Sequence, residues 1–186
     1  MQTLNQPNTD HLKVKLKKVN ASQFPIFQSD PYLDQHKGFF EHKYHKFGDL
    51  LHKIEEAEGS LYEFSQGYRK MGFNENKDGV WYREWAPGAK EMYLTGDFNN
   101  WERKQYKMTK DQYGTFEIFL PKKQDGSYPI PHGSKVKAHL LNAKDEWVDK
   151  IPAWIHYTIQ NEQTLAYDGV YISQQEEHRY KWKHPQ

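Results

Sequence analysis

From Phe40 the apolar positions recur at Tyr44, Phe47, Leu51 and Ile54, in alternating steps of four and three. That is the stripe of an amphipathic helix. Ser29–Leu33 ("SDPYL") reads as the approach to it, with a capping side chain and Pro31 in the first turn. Gly59 is the expected stop. Ser60 and Glu63 then have the spacing of a capping box that opens a second, short helix ending near Gln66-Gly67. Beyond this helical segment, placed at residues 29–70, the period changes to two. An Asp78-Gly79 pair between extended runs predicts a hairpin. Met92 and Leu94 share a face, as do Phe116, Ile118 and Leu120, and again Val136, Ala138 and Leu140. Strand alternation turns Lys135, Lys137 and His139 to the opposite side. Trp81 and Trp85 also share a face, with one expected in the core and the other at an interface.

Turn clusters separate these runs: "PGAK", "DFNNW", "KDQYG", "KKQDGSYPIPHGS" and "NAKDE". Short strands at such intervals predict a mainly β fold, an immunoglobulin-like sandwich of about seven or eight strands over residues 71–175, preceded by the short α-helical segment. Residues 1–28 are polar and weakly patterned and read as a flexible arm. Residues 176–186 carry no closing element and read as a linker that breaks off.

Composition narrows the classes. Cysteine is absent, which excludes a disulfide framework and a thiolate zinc site. The net charge of +1, with the two signs interleaved, lacks the footprint of a nucleic-acid binder. No apolar stretch approaches the roughly 18 residues of a membrane-spanning helix. The first residues have no apolar core ahead of a cleavage site, so a cytoplasmic protein is expected. Aromatic residues nevertheless make up 16% of a chain whose mean hydropathy is −1.07. A surplus of rings on so polar a chain points to a surface that uses them.

Candidate chemistry is sparse. His42 and His45 match no zinc pattern, no nucleophile elbow is present, and no metal, cofactor or catalytic residue is expected. Glu84 and Asp97 are the one conceivable carboxylate pair. Glu84, in a strand beside Arg83, reads as ion-paired or bonded to backbone, and Asp97 as the cap of its own turn. The tryptophans say more. Trp101 and Trp147 each lie in a polar turn, where a flat ring can stack on the C–H face of a sugar while Lys137 and Asn142 supply partners for its hydroxyls. The alternative is that both rings fold back over the edge of the sandwich.

The stretch "YREWAPGAKEMYLTGDFNNW" resembles the glycogen- and starch-binding module, carbohydrate-binding family 48, at the N-terminus of 1,4-α-glucan branching enzymes. "FSQGYRKMGF", "PIPHGSKVKAHL", "KIPAWIHYT", "YDGVYI" and "EEHRYKWKHP" resemble the eukaryotic type, and the likeness runs over residues 29–186. It implies a glucan-binding accessory domain of an enzyme of the α-amylase superfamily, with glycogen, starch or malto-oligosaccharides as partner. It also implies a catalytic (β/α)₈ barrel after residue 186, so that this span alone is inactive. By likeness to the module of a kinase subunit, Trp101, Lys137 and Trp147 would be its stacking rings and lysine. By likeness to branching enzymes, Trp85 and Pro87 of "EWAP" would face glucan or the barrel. Two other readings fit the pattern: a stand-alone glycogen-targeting module, and an immunoglobulin-like protein-interaction domain without sugar.

Overall fold

The computed structural model describes residues 19–175 together with His178, Lys181 and Lys183. Most of the expected arm and linker lies outside the described residues. The chain divides after Gly67 into two compact units.

In the first unit, α1 (Ile26–Ser29), α2 (Lys37–Glu58) and α3 (Leu61–Ser65) follow one another, with a 3-10 turn over Pro31–His36 leading into α2. Asp30 caps that turn by accepting the Tyr32 N–H. Gly59 ends α2 at φ 86°, a left-handed conformation that glycine adopts without a Cβ penalty. Ser60 accepts the Glu63 N–H at 3.0 Å and so opens α3. Residues 20–28 are not a loose arm. Phe27 packs edge-on against Phe40 at 5.1 Å, Phe24 meets Tyr44 at 5.7 Å, and Glu41 accepts the Ala21 N–H at 2.7 Å. Three contacts to one helix face give this short segment the order that its own propensity does not.

The second unit is a sandwich of two antiparallel sheets. One has the order β1 (Gly72–Asn76), β2 (Gly79–Trp85), β6 (Thr115–Pro121), β5 (Thr109–Lys110). The other runs β4 (Tyr106–Lys107), β3 (Glu91–Gly96), β7 (Lys135–Leu141), β10 (Tyr167–Val170), β9 (Thr158–Gln160), and β8 (Trp147–Lys150) pairs with the C-terminal half of β7. The sandwich has more strands than the expected seven or eight because β4, β5, β8 and β9 are pieces of only two to four residues. The inward positions are those the alternation predicts. Met92, Leu94, Phe116, Leu120, Val136 and Ala138 are buried together with Val80, Tyr82, Ile130 and Tyr171, and Ile118 and Leu140 pack against them.

The β1–β2 turn is Lys77-Asp78, one residue earlier than the Asp-Gly pair suggests, because Asn76 Oδ1 accepts both the Asp78 and Gly79 N–H groups. Gly79 already belongs to β2, where a Cβ would collide with the Leu120 carbonyl across the ladder. The tryptophans of β2 also depart from expectation. Val80, Tyr82 and Glu84 take the inner face of β2, so neither Trp81 nor Trp85 enters the core. Trp81 lies half-buried on the outer face, against Phe119 at 5.0 Å and beneath the Arg83 guanidinium at 4.5 Å. Arg83 is in turn paired with Glu117 at 2.9 Å.

Candidate carbohydrate-binding surfaces

The expected site residues separate into two places. Trp101, Lys137, Asn142 and Trp147 belong to the sheet containing β3, β7 and β8. The turn of Trp101 follows β3 and is tied to the start of β7, since Asp97 accepts the Trp101 indole N–H at 2.9 Å and the Lys135 backbone N–H at 2.8 Å. Asn99 closes the same turn, accepting the Gly96 N–H and donating to the Glu102 carbonyl. Trp147 opens β8 opposite Leu141, at the far end of β7. The two anchor points on β7, Lys135 and Leu141, are roughly 20 Å apart along the strand. The two rings are thus anchored at opposite ends of one strand.

Lys137 and Asn142 have partners within the fold. The Lys137 ammonium pairs with Asp168 at 2.8 Å, and both side chains are largely buried. Asn142 Oδ1 accepts the Lys144 and Glu146 N–H groups, and its amide donates to the Glu146 carboxylate. It builds the β7–β8 turn. Trp147 is 37% exposed and lies parallel to the His139 ring at 4.7 Å and 9°. His139 Nδ1 is 2.7 Å from Asp149, which also receives Arg103 at 3.0 Å. Burial alone would raise the Asp149 carboxyl, but the hydrogen bonds from Arg103 and His139 outweigh it and hold the group below the usual carboxylate range.

Trp85 and Pro87 belong to the other place, where β2 leaves its sheet. Trp85 is 60% exposed, and its indole N–H donates to the Tyr113 carbonyl at 3.0 Å. Tyr113, itself 57% exposed, sits on the turn before β6. Asp111 holds that turn by accepting the Tyr113 and Thr115 N–H groups. Gly114 follows at φ 89° and lies so close to Pro87 that a Cβ would approach its Cα to 2.6 Å. The Lys110 ammonium donates to the Pro87 and Ala89 carbonyls. Two exposed rings and a proline therefore sit on two loops held by these hydrogen bonds. Sequence reasoning missed Tyr113 and Gly114. The signal was there, an aromatic residue at a polar turn tip in "KDQYG", the same feature that singled out Trp101 and Trp147.

Glu84 behaves as structure. It is buried, accepting the Tyr82 hydroxyl at 2.8 Å and the Ala153 N–H at 3.0 Å. Burial pushes its carboxyl up, partly offset by those two bonds. A cavity of about 510 Å³ lies elsewhere in the unit, walled by Phe73, Trp154, Ile155 and Tyr171 among others. Its Tyr171 hydroxyl donates to Glu75, and its Gln174 amide donates to the Phe73 carbonyl.

Residues 70–155 match the family model of Carbohydrate-binding module 48 (Isoamylase N-terminal domain). They form a family 48 carbohydrate-binding module. The chain is 39% identical over 185 residues to 1,4-alpha-glucan-branching enzyme 2-2, chloroplastic/amyloplastic, of Arabidopsis thaliana, covering 100% of this chain and 23% of that protein. It is 41% identical over 160 residues to the 1,4-alpha-glucan-branching enzyme of Dictyostelium discoideum, covering 86% and 24%. With that of Yarrowia lipolytica (strain CLIB 122 / E 150) it shares 47% over 128 residues, covering 68% and 18%. The chain thus spans about a fifth to a quarter of the length of these relatives and matches their N-terminal region.

Proposed function

We propose that this chain is the glucan-binding N-terminal region of a 1,4-α-glucan branching enzyme, and that its module holds an α-1,4-linked glucan on Trp85, Pro87 and Tyr113. The observation that carries the site is the exposed Trp85–Tyr113 pair on braced loops. A ring gains from stacking on a sugar only if it is exposed beforehand and does not have to be ordered on binding. Trp85 meets both conditions, its indole being held by the Tyr113 carbonyl, and Tyr113 is exposed on a turn whose backbone Asp111 holds. In the other group Lys137 and Asn142 are already engaged. The relatives' names support the parent enzyme and its polymer. Branching needs a retaining pair of carboxylates. Glu84, buried against Tyr82 and Ala153, is not one of them, so transfer depends on residues outside this span.

One stacked ring contributes on the order of 1 kcal/mol beyond area burial. Trp85→Ala is therefore expected to weaken retention in a glycogen-containing native gel about fivefold, and Tyr113→Ala comparably. Trp101→Ala should leave retention near that of the parent chain. A Trp85→Ala protein that is folded and retained like the parent would overturn the assignment.

A further inference from the structure

The outer face of β2 meets β6 in three successive rungs: Trp81 opposite Phe119, Arg83 opposite Glu117 and Trp85 opposite Thr115. Outward positions two residues apart lie roughly 7 Å from one another along the strand. Trp85, at one end of the row, offers an exposed ring. The middle rung offers polar groups held in place. The Arg83 guanidinium lies over the Trp81 indole at 4.5 Å, and Phe119 packs beside that indole at 5.0 Å. Glu117 Oε2 accepts the Arg83 Nε–H at 2.9 Å. Ring and carboxylate thus fix the plane of the guanidinium from two sides. The pair is made through Nε alone, whereas Arg103 meets Asp149 through both Nε and Nη2. The Nη groups of Arg83 and Oε1 of Glu117 have no partner among the described residues. Both side chains reach solvent, 26% and 44% exposed.

An arginine–carboxylate pair left open in this way presents N–H donors and an acceptor oxygen side by side, already oriented. A hydroxyl uses both, because its oxygen accepts and its proton is donated. An anion does not, since the pair is neutral as a whole and Glu117 repels it. Linkage through C1 and C4 leaves the adjacent 2- and 3-hydroxyls of each glucose unit free. We propose that Arg83 and Glu117 clamp such a pair of hydroxyls, with Arg83 donating to both oxygens and Glu117 accepting one of the protons. The guanidinium leans over Trp81, the rung beyond it, and so away from Trp85. The clamped unit is therefore a different one from the unit on Trp85, farther along the same chain. The inference deepens the Trp85 reading and rests on it for the sugar class: the ring supplies stacking, and the neighbouring rung supplies recognition of hydroxyls.

Calorimetric titration with maltoheptaose tests the clamp. Arg83→Met keeps a side-chain stem over Trp81 and removes the donors, and should weaken binding about five- to tenfold. Glu117→Gln should weaken it about two- to fivefold. The fold losses of Arg83→Met and Trp85→Ala should multiply in the double variant. A footprint needs no variant: maltoheptaose at saturation should slow the modification of Arg83 by phenylglyoxal, read by peptide mass. That footprint and Glu117→Gln carry the test if Arg83→Met does not fold. Parent-like binding by both folded variants, or modification of Arg83 at one rate with and without the sugar, refutes the clamp and leaves Trp85 untouched. Losses that fail to multiply would place Arg83 on the unit that Trp85 holds and overturn the separate contact. Parent-like binding by Trp85→Ala, with Arg83→Met weakened and Arg83 protected, removes the Trp85 reading and leaves the clamp standing.

Discussion

The Lys137 ammonium lies 2.8 Å from the Asp168 carboxylate, with side chains only 17% and 8% exposed, and so joins β7 to β10 by a pair largely removed from water. Truncating one member leaves the other charge buried without compensation, which costs far more than an exposed pair is worth. Lys137→Ala should lower stability by about 3 kcal/mol, read as a drop in denaturation midpoint at unchanged slope. Glucan retention of the folded fraction should be unaffected. Lost retention with an unchanged midpoint would mean that Lys137 meets the sugar after all.

Two carboxyls shifted in opposite directions should separate along the pH axis. The Glu84 carboxyl is raised in the fold, so its contribution is fully present below its unfolded pKa and is lost as pH rises through the higher folded value. Asp149 is lowered, so its contribution is present above its unfolded pKa and is lost as pH falls through the lower folded value. Melting curves from about pH 7 to about pH 3 should show Glu84→Gln gaining relative to the parent chain at the upper end. Asp149→Asn should lose most there and approach the parent only at the acid end. Parallel curves for all three proteins would contradict both assignments.

What the sequence revealed follows from the reach of its signals. Periodicity is local, and it located the stripe of α2, the Gly59 stop, the Ser60 cap and the inward residues of β3, β6 and β7. Strands of two or three residues are shorter than any period can report, which hid β4, β5 and β9. Alternation put Lys137 and His139 on the outer face but could not say what lies over it. Asp168 reaches Lys137 only because β10 pairs with β7, and Trp147 covers His139 only through the β7–β8 register. Both are facts of strand pairing. The docking of Phe24 and Phe27 on α2 is non-local in the same way, so a polar, patternless stretch reads as an arm although it packs.

Gly114 offers a test of the Trp85 surface that leaves both rings in the sequence. Its φ is 89°, and a methyl carbon added there would stand 2.6 Å from the Pro87 Cα, so alanine is strained twice over. Gly114→Ala should cost more than about 1 kcal/mol and push the 111–115 turn off Pro87, breaking the Trp85–Tyr113 bond. Glycogen retention should fall as in Trp85→Ala, at a temperature where the protein is still folded by circular dichroism. Full retention would show that the two loops need no bracing to bind.

Trp101, whose turn-tip position first suggested a sugar contact, is bound into its own turn. Its N–H and the Lys135 N–H share one carboxylate, Asp97, so the indole helps to orient the group that ties the 97–101 turn to β7. Trp101 and Asn100 both have positive φ, 61° and 53°, a conformation that non-glycine residues hold only when neighbours enforce it. Trp101→Phe keeps an aromatic ring and removes the hydrogen bond, and should cost about 1 kcal/mol. Asp97→Ala removes both bonds and should cost more, with the Trp101→Phe effect disappearing in the Asp97→Ala background because the two substitutions delete the same contact. A double-mutant cycle by urea denaturation measures this. Additive losses would mean that the indole stabilises the turn by packing and not through Asp97, and a loss of glycogen retention in Trp101→Phe without loss of stability would return the ring to the sugar.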